Sequence, residues 1–118
     1  MKESLKNFYK YEASDEELMT YIRINSGKWN EKSFVHMKKI VREVMQDYRN
    51  EDCYPKIFVS YFVTYIPSII NILSNFRGCT DEEIREYHTE EAYLNMIAER
   101  IIELKNLERE FANSLLSI

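Results

Sequence analysis

The sequence is short of punctuation and of reactive groups. It has two glycines, Gly27 and Gly78, and two prolines, Pro55 and Pro67, in 118 residues. Phosphate-cradling loops need several glycines at one helix start, so neither a P-loop nor a dinucleotide fingerprint can be built from this chain. Scarce turn residues also suit a few long helices and argue against collagen-like or disordered classes. Two cysteines, Cys53 and Cys79, are too few for a disulfide-rich secreted scaffold. The opening Met-Lys-Glu-Ser-Leu-Lys-Asn has no apolar run behind its charges, so no secretory signal is expected. A cytoplasmic setting with both thiols reduced follows as the expectation.

Imidazole is equally scarce, with His36 and His88 alone. Helical di-metal sites use a Glu-x-x-His motif on each of two helices, and no Glu-x-x-His occurs here. His36 stands beside Val35 and Met37 in a helical pattern, where an ordinary surface or half-buried imidazole is expected. His88 lies among Glu83, Glu86, Glu90 and Glu91. A small helical hydrolase or metal site around His88 is the enzyme-class alternative. The expectation is a non-enzymatic chain with no catalytic residues, metal or cofactor.

Hydrophobic residues make up 45% of the chain and charged residues 31%, enough for one real core at this length. The net charge of −4 is unevenly spread. Residues 1–56 hold 11 basic and 10 acidic side chains, whereas residues 77–118 hold 5 and 10. Broad nucleic-acid affinity needs clustered Lys and Arg to displace counterions, so a nucleic-acid partner is not expected and a cationic protein or peptide fits better.

Apolar spacing predicts an all-α, single-domain bundle of four to five helices spanning residues 1–118. A short helix over Lys2 to Tyr11 groups Leu5, Phe8 and Tyr9. Ser14-Asp15-Glu16-Glu17 has the form of a capping box, which starts a second helix near Asp15 carrying Leu18, Met19, Tyr21, Ile22 and Ile24. Asn25-Ser26-Gly27 stops it. Phe34, Met37, Val41, Val44 and Tyr48, widened by Ile40 and Met45, mark a third helix. Its Lys38, Lys39, Arg42 and Arg49 form a mixed-charge solvated face, a phosphate-binding ridge being the minor alternative.

Residues Ile57 to Phe76 pass without a charge. Twenty residues can span a bilayer, yet polar atoms recur throughout and the flanking Lys56 and Arg77 give no topological bias, so a membrane anchor is kept only as an alternative. A strand would lack partners elsewhere in the chain. The preferred reading is a central bundle helix, surrounded by the others and kinked or broken at Pro67.

Thr80-Asp81-Glu82-Glu83 is a second capping-box pattern. The helix it starts either pauses near His88-Thr89, where Thr89 can cap a fresh start, or runs on to the end. Leu94, Ile97, Ile101, Leu104, Phe111, Leu115 and Ile118 then follow three- and four-residue steps, interrupted by Glu108. This seam serves either as the inner face of a long bundle helix or as a homodimer interface.

Between positions 81 and 91 six acids stand against Arg85. Such a run also serves helix solvation and the N-terminal dipole. As a docking surface for a basic partner it comprises Asp81, Glu82, Glu83, Glu86, Tyr87, Glu90, Glu91 and Tyr93, with Trp29 a further aromatic anchor if exposed. The function expected is therefore binding that inhibits or neutralises another macromolecule. Bacterial immunity and antitoxin-type proteins share this size and charge, an analogy at fold level with no motif behind it.

Overall fold

The computed structural model describes residues 1–75 and 81–116, and among them there are six helices and no strand. They are α1 (Glu3–Glu12), α2 (Leu18–Ile24), α3 (Glu31–Asp47), α4 (Lys56–Ser74), α5 (Asp81–Tyr87) and α6 (Glu90–Leu115). The all-helical bundle is as the apolar spacing implied. The count exceeds four or five because α5 and α6 are separate: His88 takes a left-handed φ of 73°, and the Thr89 hydroxyl accepts from the Ala92 amide at 3.0 Å to begin α6. Thr80 and the side chain of Asp81, the start of the second capping-box pattern, lie outside the described residues, as do Gly78, Cys79 and Ile118.

The core is contiguous and aromatic. Phe8 from α1 meets Phe58 edge-on at 5.2 Å and Tyr61 at 5.4 Å, both on α4. From the other side Phe111 of α6 stacks on Phe62 at 4.3 Å with the planes 4° apart. Leu104 and Leu107 are fully buried. Leu107, not the seam position Glu108, continues the inward face of α6, which is how the helix carries an acid where an apolar residue seemed due.

Three local expectations are corrected. First, α2 starts at Leu18 and its cap is Glu17: the carboxylate accepts from the amides of Met19 and Thr20, both at 2.9 Å. Ser14 instead donates to the Tyr11 carbonyl at 2.8 Å, ending α1 rather than starting α2. Second, Ile24 is 61% exposed, because Ser26 (φ 56°) and Gly27 (φ 88°) turn the chain away from the core at that point. Third, α4 does not break at Pro67. Its residues Tyr61–Tyr65 form a π-helical turn whose Ile66 amide reaches back to the Tyr61 carbonyl, and helical dihedrals continue through Tyr65 and Ile66. The wider turn sits just where a proline amide cannot supply the regular bond.

Nor is α4 surrounded. Phe58, Tyr61, Phe62, Ile66, Ile69 and Leu73 make one buried stripe, while Ser60, Val63, Thr64 and Asn71 face outward, with Val63 67% exposed. By length and composition alone this helix could cross a membrane, but its most apolar face is occupied by the protein's own core. The molecule measures 47 × 26 × 19 Å with a radius of gyration of 15.2 Å, against about 13.5 Å for a compact domain of this length. The 26-residue α6 is about 39 Å long at 1.5 Å per residue, shorter than the 47 Å long dimension. An elongated shape therefore accommodates α6 within one protomer.

Candidate functional site

Several charged groups have structural work, and sorting them separates the members of the acidic run that are spent from those that stay exposed. Glu17 is the deepest. It is fully buried and accepts four hydrogen bonds: from the Met19 and Thr20 amides, from Thr20 Oγ1 at 3.0 Å, and from the Tyr61 hydroxyl at 2.8 Å. Four donors without a cation are enough to hold a buried carboxylate. Next to it, the Tyr11 hydroxyl accepts from the Leu18 amide at 2.9 Å and lies 2.9 Å from Ser33 Oγ, which itself donates to the Glu16 carbonyl. This closed network fastens α1, α2, α3 and α4 together. Burial pushes the Tyr11 phenol up to about 12, and burial reinforced by the Tyr11 and Glu17 charges drives that of Tyr61 well above its ordinary value. All its members are spent on one another, so it offers no open site.

A second set ties α3 to α6. Arg100 grips both oxygens of Glu31 and also donates to Glu103 at 2.7 Å; Lys38 reaches Glu103 at 3.0 Å, and Arg42 reaches Glu110 at 3.0 Å. Burial opposes ionisation of Glu31, but the bonds from Arg100 and Trp29 outweigh it and hold the carboxyl below its usual range. Lys38 and Arg42 are thus consumed as partners for α6, which removes two of the four cations of the phosphate-ridge alternative. Apart from the i,i+3 pair Arg100–Glu103, none of these pairings carries a local sequence signal, since the partners lie 65 to 69 positions apart.

The acidic run at α5 and α6 divides into three groups. Glu83 is buried, and so is Tyr93, whose ring meets Tyr87 at 5.4 Å; both belong to the packing between α5 and α6, not to a docking face. Trp29 is buried as well, its indole donating to Glu31 at 3.0 Å. Glu82 is exposed but bonded to Lys28 at 2.7 Å. Glu86, Glu90 and Glu91 remain: they are exposed and make no ion pair among the described residues. Tyr87 is half-buried beside them, its phenol raised by burial and then by the Glu86 charge. Three exposed carboxylates around one α5–α6 junction, next to a half-buried tyrosine, can attract a cationic group by charge.

The dimer seam is mostly spent inside the protomer. Ile97, Leu104 and Phe111 are core residues, buried against α4, and are not open to a second copy; Ile101 is half-buried, while Leu94 and Leu115 are exposed. His88 is exposed at the α5–α6 connection, and among the described residues no group of three or more His, Cys, Asp or Glu is gathered as for a metal. Cys53 is an exposed free thiol. No protein-family model, curated protein or solved structure matches this chain.

Proposed function

We propose that this protein is a non-enzymatic binder of a basic protein or peptide, docked at the α5–α6 junction through Glu86, Glu90, Glu91 and the half-buried Tyr87. The observation that carries the proposal is the contrast between carboxylates. Glu31, Glu82, Glu103 and Glu110 are each neutralised by a cation within 3.0 Å, whereas the three at the junction are left facing solvent. Unpaired like charges on a rigid scaffold raise the local concentration of a cationic partner and speed its capture. Placement on helices whose other faces are locked in the core provides the preorganisation such a surface needs. Neutralising or restraining the partner, in a cytoplasmic setting, is the role that suits a small acidic bundle of this kind.

The test is affinity capture from the native host's lysate with the native chain and with a Glu86→Lys, Glu90→Lys, Glu91→Lys variant. One basic protein retained by the native form and lost by the variant supports the proposal. Equal retention by both forms, or retention of nothing, sinks it.

A further inference from the structure

The turn between α3 and α4 holds a cation by a second, separate arrangement. Lys2, just before α1, reaches across to it. Its Nζ donates to the Asp47 carbonyl at 2.9 Å, lies 3.3 Å from the Glu51 carboxylate and sits 5.1 Å from the centre of the Tyr48 ring. Each contact has its own physical reason. Asp47 ends α3, so its carbonyl has no onward helical partner and lies at the negative end of the helix dipole; the carboxylate adds full charge, and the phenol adds its electron-rich face. A carbonyl, a carboxylate and an aromatic face around one ammonium are the elements of a lysine-recognition site.

That cradle adjoins a cleft of about 210 Å³ with which it shares Tyr48 and Glu51. The cleft walls add Asp52, Tyr54 and Ser114. The Tyr48 and Tyr54 rings lie 6.0 Å apart and inclined by 44°, and Tyr54 is fixed by donating to Ser114 Oγ at 2.7 Å. Asp52 is exposed and makes no ion pair among the described residues. Arg49 is the cation on the wall, itself exposed. The volume is below the roughly 300 Å³ at which sites for drug-sized molecules begin, and so matches one side chain.

We propose that this turn is a docking site for a lysine side chain of a basic partner, with Lys2 as its resident occupant in cis, displaced when the partner's ammonium enters. This rests on the reading that the partner is cationic, but on different residues from the acidic junction. Because Lys2 competes from within the chain, the affinity of an external ammonium is lowered by the fraction of time the cradle is free. If Lys2 fills it about four-fifths of the time, its removal tightens binding roughly fivefold.

The experiment is a titration of the isotope-labelled protein with a blocked tri-lysine peptide, followed by backbone amide shifts, with the fully acetylated peptide as control. The expected result is movement of the amides from Tyr48 to Tyr54, none with the acetylated peptide, about fivefold tighter binding to Lys2→Met, and loss of those shifts in Glu51→Gln. Lys2 and Glu51 are both surface residues, so neither substitution threatens the fold. Unchanged affinity in Lys2→Met overturns the proposal. So do shifts confined to Glu86, Glu90 and Glu91, an outcome that leaves the acidic junction standing; shifts confined to the turn support the lysine site and count against the junction.

Discussion

Removing a single oxygen atom, in Tyr61→Phe, tests whether the buried Glu17 network holds the bundle together. The ring stays in place between Phe8 and Tyr65, at 5.4 and 5.1 Å, so packing is preserved and the change isolates one hydrogen bond, the 2.8 Å donation to Glu17. Bonds to a charged acceptor contribute about 1.5–3 kcal/mol. Glu17 keeps its two amide donors and the Thr20 hydroxyl, so the carboxylate is not orphaned and the expected loss is about 2 kcal/mol. For a chain of this size that lowers Tm by about 8 °C. Urea unfolding followed by circular dichroism measures it.

The alkaline limb gives an independent check. A phenol whose folded pKa is raised contributes stability that is fully present below the unfolded value of about 10 and is lost as pH rises through the folded value. Tyr61 and Tyr11 both do this in the native chain, Tyr11 up to about 12, alongside the raised phenols of Tyr65 and Tyr87; the variant loses the share of Tyr61 and should lose stability less steeply above pH 10. A loss under about 0.5 kcal/mol together with an unchanged alkaline slope would refute the idea that this network fastens α2 to α4.

Three further outcomes are expected. Phe111→Ala removes the ring stacked on Phe62 from a nearly closed site and should cost about 3 kcal/mol, measured by the same urea transition. Gly27→Ala meets no neighbouring atom but forces a φ of 88° on a residue with a Cβ, so a loss of about 1 kcal/mol, from backbone strain alone, should appear in thermal unfolding. Because the Glu31 carboxyl is held low, its bond to Arg100 stabilises the fold above the usual glutamate pKa of about 4.3 and the benefit is lost as pH falls through the lowered folded value. Arg100→Met should therefore cost about 1 kcal/mol at pH 7, discounted for partial exposure, and the difference from the native chain should vanish in the acid limb of a stability–pH profile.

The helices were legible where one face repeats. Phe34, Met37, Val41 and Val44 mark α3 without ambiguity, and Thr89 is readable as a cap, its hydroxyl accepting from the Ala92 amide. Ser14 misleads because α1 ends two residues earlier, at Glu12, and the Tyr11 carbonyl in its last turn accepts the Ser14 hydroxyl, leaving Glu17 to turn inward and cap α2. A buried acid looks like a solvated one in sequence: its donors include Tyr61, 44 positions away. The same limit hides which carboxylates are neutralised. Glu83 and Glu86 are three residues apart and read alike, yet packing of α5 on α6 buries one and exposes the other. Of the seven residues expected at the docking face whose side chains are described, geometry leaves Glu86, Glu90, Glu91 and part of Tyr87 unspent.

The most direct test of that face is the association rate of the captured basic partner with the native chain and with the Glu86→Lys, Glu90→Lys, Glu91→Lys variant, at low and at physiological salt. Steering by these carboxylates predicts a rate at least tenfold slower for the variant at low salt, with the two converging as screening shortens the Debye length to about 8 Å. Equal rates at low salt would contradict it.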